Sequence, residues 1–104
     1  MHIQINTDKN IDGSDAFADQ MKVIVESTLN RFVEHITRVE VHLSDENSDK
    51  AGINDKRCLM EARLEGRQPI AVTHQAANLD LAVQGAAGKL KNMIESNLGR
   101  LSNR

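Results

Sequence analysis

The stretch RCLMEARLEGRQPIAVTH, residues 57–74, decides the fold. Cys58, Met60, Ala62 and Leu64 alternate with Arg57, Glu61 and Arg63, the period-two signature of a strand with one buried face. Gly66 to Pro69 supplies the chemistry of a short reversal, and Ile70 and Val72 then continue the buried side over 70–74. Two apolar-alternating runs joined by a Gly- and Pro-containing turn form a β-hairpin.

Moving toward the N-terminus, Ser44 to Lys56 (SDENSDKAGINDK) has no periodicity and is rich in turn formers, so it is expected to be a solvated loop. Before it, Val39, Val41 and Leu43 make 38–43 a second alternating strand. Farther upstream Phe17, Met21, Ile24, Val25, Leu29 and Phe32 recur at three- and four-residue spacing, an amphipathic helix of roughly five turns. Ser14 is its expected N-cap, and Asp15 and Asp19 suit the positive end of its dipole. Residues 2–6 alternate again, with Ile3 and Ile5 on one side, as a first strand.

Toward the C-terminus, Asn78 can cap a last helix whose apolar stripe is Leu79, Val83, Ala86, Leu90, Met93 or Ile94, and Leu101. Gly85 and Gly88 lie inside it, each costing about 1 kcal/mol relative to Ala. Their expected compensation is close approach to the sheet or to the first helix.

The order is thus β-α-β-β-β-α in one domain spanning 1–104, with no internal repeat and no linker. It predicts an α+β two-layer sandwich: a four-stranded mixed sheet with two helices on one face. Strands one and two should run parallel and the later strands antiparallel. The chain has 104 residues, 39% of them hydrophobic, and two aromatics, so the core must be aliphatic. One cysteine, Cys58, rules out an internal disulfide and a multi-cysteine metal site. No apolar run is long enough to span a bilayer and the N-terminus lacks a leader pattern, so a cytoplasmic protein is expected.

The formal net charge is −2, unevenly distributed. Residues 1–56 hold six Lys/Arg against eleven Asp/Glu, a net of −5; residues 57–104 hold seven against four, a net of +3. Any basic footprint belongs to the C-terminal half.

Three runs carry a resemblance that covers nearly the whole chain: HIQIN at 2–6, LNRFVEHITRVEVHLSDEN at 29–47, and AVQGAAGKLKNMIESNLGRL at 82–101 with its Lys89-Leu90 step. Together with element order and length they resemble the hibernation promoting factor and ribosome-associated inhibitor family, also known as sigma-factor modulation proteins. The resemblance implies a fold similar to double-stranded-RNA-binding domains. It also implies docking in the mRNA and tRNA channel of the small ribosomal subunit, against rRNA, which silences idle ribosomes. Family members present Lys or Arg on every turn of the last helix; here that stripe is Lys89, Asn92, Ser96, Arg100 and Arg104, with Lys91 alongside. The family's Lys before Leu29 is Thr28, and the segment after the second strand is the acidic Ser-Asp-Glu-Asn of 44–47. Each lost phosphate contact lowers the log–log salt slope by about 0.9 on duplex DNA, so a thinner stripe implies weaker binding.

The expected RNA-binding residues are therefore Lys89, Lys91, Arg100 and Arg104 on the last helix, joined by Lys22 and Arg31 on the first. A solvated helix face would carry the same residue types. On the open side of the sheet the outward positions are Gln4, Glu40, His42, Leu59, Glu61, Arg63, Ala71 and Thr73, none aromatic, so base stacking is not expected there. Exposed Leu59 and an unpaired edge leave room for a homodimer through the sheet face or an edge. His42 beside Glu40 is the one His–carboxylate arrangement suited to general base work, and cross-strand polar pairs are common without it. His35 is expected to cap the first helix, His74 to sit hydrogen-bonded at a strand end, and Cys58 to be an inert core residue. No enzyme activity, cofactor, metal or small-molecule substrate is expected. Two functions follow: a ribosome-associated factor inhibiting translation sterically, or a non-ribosomal interaction or stress adaptor retaining the fold.

Overall fold

The computed structural model describes residues 1–9, 11–46 and 55–102, without the side chains of 100–102. Its elements are strand β1 (His2–Thr7), helix α1 (Asp15–Leu29), a single 3₁₀ turn (Asn30–Phe32), strands β2 (Ile36–Asp45), β3 (Lys56–Leu64) and β4 (Ile70–Ala76), and helix α2 (Leu79–Ser102). The sheet order is β1-β2-β3-β4. β1 runs parallel to β2 with Ile3 opposite Val39 and Ile5 opposite Val41. β2–β3 and β3–β4 are antiparallel. The anticipated mixed sheet and two-layer α+β architecture are both present.

Both helices are capped as their sequences dictate. The Ser14 hydroxyl accepts from the Phe17 amide at 3.2 Å, and the Asn78 side chain accepts from the Leu81 amide at 2.9 Å. Each bond satisfies one of the amides a first turn leaves without a partner. α1 stops earlier than its apolar spacing suggests: after Leu29 the chain tightens into the 3₁₀ turn, which still delivers Phe32 to the core. Both helices pack on one side of the sheet, α2 over β3 and β4, and α1 against β1 and α2.

The core is aliphatic, as two aromatics require. Val39, Val41, Leu43, Cys58, Met60 and Ala62 from the sheet meet Met21, Val25 and Leu29 from α1 and Val83, Leu90 and Ile94 from α2, all essentially inaccessible. Ala82, Ala86 and Ala87 are also fully buried, and their small side chains let α2 approach β3 and β4 closely. Of the alternatives Met93 and Ile94, Ile94 is the core residue; Met93 is exposed.

All four strands exceed their sequence-based bounds, β1 and β3 by one residue each. A register irregularity between Ile36 and Arg38 puts Ile36 and Val39, three residues apart, on the same buried side, so alternation begins only after Ile36. β4 runs on to Ala76. Of the anticipated loop 44–56, Ser44–Glu46, Asp55 and Lys56 are described: Glu46 N donates to the Asp55 carbonyl at 2.8 Å, and Lys56 Nζ reaches the buried Asp55 at 2.9 Å and Asp45 at 3.5 Å. Residues 47–54 lie outside the described residues.

The helix glycines behave differently from each other. Gly85 does answer to close approach, because the His74 imidazole occupies the space a Cβ would need. Gly88 does not: nothing lies within 4 Å of its Cβ position. Among the described residues, no helix is long and apolar enough to cross a membrane.

Candidate nucleic-acid interface

The two helices form the outer layer, so their cations define the interface to be tested. Lys22 sits half-buried on α1. Arg31 is exposed in the 3₁₀ turn, its guanidinium 5.3 Å from the Phe32 ring centroid and 3.7 Å from the Glu95 carboxylate of α2. Lys89 is exposed on α2, and its Nζ donates to the Thr73 carbonyl of β4 at 3.0 Å. Lys91 is half-buried one residue past Leu90. Arg100 belongs to α2 by its backbone, its side chain lying outside the described residues, as does the whole of Arg104. Asn92 and Ser96 are exposed on α2.

Helix geometry separates these groups. At about 100° per residue, Lys89 and Lys91 point roughly 200° apart around α2. Lys89 occupies the flank that reaches β4. Lys91 lies within about 40° of Glu95, on the flank turned to α1. Lys22 lies within α1, and Arg31 in the 3₁₀ turn that follows it. The structure thus brings Arg31 against Glu95 at the α1–α2 seam, on the helix face that Lys91 shares by its spacing. It puts Lys89 on the flank over β4. The exposed side of α1 carries Asp15, Asp19 and Glu26 together with Val23, 65% exposed.

The open sheet face is a different surface. Arg38 stands opposite Arg63, and Glu40 opposite Glu61, like beside like across the strands. The repulsion is offset along each strand, where Arg38 Nε meets Glu40 at 3.0 Å and Arg63 Nε meets Glu61 at 3.6 Å. Arg38 also donates to the Gln4 side chain, and Arg57 lies 3.8 Å from Glu46. Every cation named here has a carboxylate neighbour, and no aromatic is present for stacking. Leu59, anticipated as exposed, is half-buried.

Sites suited to chemistry are placed as follows. His42 Nε2 lies 3.6 Å from Glu40 and opposite Leu59, bordering a hollow of about 430 Å³ shared with Asn6, Asp8, Ser44 and Arg57. Cys58 is fully buried, and desolvation pushes its thiol up to about 12. His35 does not cap α1 with its ring: its backbone makes the bonds, the amide donating to Phe32 O at 2.9 Å and the carbonyl accepting from Glu65 at 3.0 Å. No group of three or more His, Cys, Asp or Glu suited to a metal occurs among the described residues.

Sequence reasoning counted cations and passed over Glu95. The signal was present, since Glu95 follows Lys91 by four residues and therefore shares its helix face. The bond from Lys89 to β4 had no such signal, because it links positions 16 residues apart through the fold.

Comparison with known proteins agrees with this architecture. A family model described as Sigma 54 modulation protein / S30EA ribosomal protein matches residues 3–102. The N-terminal domain of Protein Y from Thermus thermophilus superposes with a TM-score of 0.67 at 22% identity, over 92% of this chain and 98% of that one. A ribosomal subunit interface protein from Coxiella burnetii does so with a TM-score of 0.69 at 19% identity, over 95% and 99%. No curated protein matches the chain. At these identities the two structures show a common fold.

Proposed function

The chain belongs to the Sigma 54 modulation protein / S30EA ribosomal protein family, a family of ribosome-associated factors, and from that premise we propose that it binds the small ribosomal subunit and inhibits translation sterically. Occupying the mRNA and tRNA channel excludes both ligands, so no bond is made or broken. The observation that carries this reading is the family match over residues 3–102, in a fold whose helices form one outer layer. Lys22, Arg31, Lys89, Lys91, Arg100 and Arg104 supply the contacts to rRNA phosphates, in the cytoplasm, when translation is idle in stress or stationary phase. Their separation into flanks and a seam supports a distributed grip of several weak contacts, which is steeply salt-dependent.

Co-sedimentation with small subunits across a salt series tests the proposal. The wild type should pellet with subunits at low salt and be released as salt rises. Reversing Lys89 and Arg100 to Glu should abolish pelleting. Absence of association at low salt, or association indifferent to that double reversal, would overturn the reading.

The acidic exposed side of α1 favours a second reading, an adaptor that keeps the fold and binds a protein partner instead. A tagged pull-down recovering one non-ribosomal protein and no ribosomal subunits would be its mark.

A further inference from the structure

We propose that Glu95 is an intramolecular competitor for rRNA phosphate: it neutralises Arg31 across the α1–α2 seam and so sets how tightly the helix layer holds RNA. The inference rests on the small-subunit reading above. Arg31 is the one cation of the helix layer shown facing a carboxylate of the other helix, at 3.7 Å. Its guanidinium also lies over the Phe32 ring at 5.3 Å, a contact that does not depend on the acid. Lys91 precedes Glu95 by four residues and so shares its face of α2, but Arg31 is the cation paired with it.

Both partners of the pair are more than half exposed, and an exposed pair of this kind is weak. Glu95 therefore does not hold the helices together. Its consequence is electrostatic: a cation already matched by a neighbouring carboxylate offers little net charge to a phosphate, so it displaces few of the counterions condensed on the RNA and adds little to affinity. Freed of Glu95, Arg31 becomes an additional phosphate contact. One contact adds about 0.7–0.9 to the log–log salt slope. The affinity gained thus shrinks about threefold for each fourfold rise in salt.

The test is a salt series of binding to isolated small ribosomal subunits with four proteins: wild type, E95Q, R31Q/E95Q, and E61Q. The last removes the same charge from the open sheet face, where Glu61 is paired to Arg63. E95Q should bind several-fold tighter at low salt with the slope steeper by about one. E61Q should match the wild type, and R31Q/E95Q should return toward it. If the wild type binds and E95Q has the same affinity and slope, the small-subunit reading stands and the role of Glu95 is overturned. If E61Q tightens binding as much as E95Q, net charge is the cause, and the role is again overturned. If neither wild type nor E95Q binds at low salt, the small-subunit reading itself fails.

Discussion

The imidazole of His74 on β4 lies directly beside Gly85 of α2, and a Cβ at that glycine would overlap the ring at Cδ2 and Nε2. Helix propensity alone favours Ala over Gly by about 1 kcal/mol. The overlap opposes it, since relieving it moves either the ring or the helix, at a cost of about 1–3 kcal/mol. G85A should therefore destabilise the protein in urea unfolding. In an H74A background the same change should stabilise it. A gain in stability from G85A alone would show that the ring yields freely.

Gly88, less than one turn on, gives the opposite result. Nothing lies within 4 Å of its Cβ position, so only backbone freedom in the unfolded chain is at stake. G88A should raise stability by up to about 1 kcal/mol, read as a higher urea midpoint with an unchanged slope.

These two glycines show what one dimension encodes. Spacing says which side of a helix a residue occupies, and that was enough to place the stripe from Leu79 through Leu90 and the alternating strands. It does not say what arrives from another element, so Gly85 and Gly88 looked alike until His74 distinguished them. The same limit hid the start of β2, because the irregularity at Ile36/Arg38 breaks alternation where the strand begins. In the candidate interface the cations themselves were legible, and their separation between seam and flanks followed only once the helices were docked. Glu95 was legible in principle from its spacing to Lys91, but its partner Arg31 belongs to the other helix.

Arg67, in the turn between β3 and β4, donates to the Asn97 carbonyl at 3.3 Å and to its side chain, tying the hairpin to the later turns of α2. The contact is half-buried and ion-free on the acceptor side. R67A should cost about 1–2 kcal/mol. Amide hydrogen exchange should show the loss first around residues 94–99, with the β2–β3 amides protected as before. Uniform deprotection across the sheet would mean that the clasp serves the whole fold.

Cys58 is held protonated by its burial, with the thiol pushed up to about 12 from an ordinary 9.0. At neutral pH both folded and unfolded thiols carry their proton, and the group contributes no pH dependence. Between about pH 9 and 12 the unfolded chain releases the proton and the folded one retains it, so stability falls as pH rises, by roughly 1.4 kcal/mol per unit. Lys56, whose pKa is raised chiefly by its hydrogen bond to Asp55, shifts stability in the same direction at the alkaline end. Unfolding of wild type and C58A at pH 7 and pH 10 separates the two residues: the alkaline loss should shrink in C58A. The native thiol should also resist alkylation until the protein unfolds.

A single substitution at Lys89 separates an edge-strand role from the proposed phosphate contact. Its Nζ donates to the Thr73 carbonyl of β4, an edge strand, while the side chain stays exposed on a flank of the helix layer. If the residue's purpose is to occupy that edge carbonyl, K89M should destabilise the fold measurably and promote strand-edge association, visible as a larger species in solution. If its purpose is phosphate contact, the lost bond is an exposed one and should cost less than about 1 kcal/mol. The variant then keeps the wild type's size in solution, and binding to small subunits weakens with a shallower salt slope. The second outcome is expected. The exposed ammonium exchanges a single carbonyl for a phosphate at little cost, whereas the backbone of β4 remains paired to β3 along its length whether or not Lys89 is there.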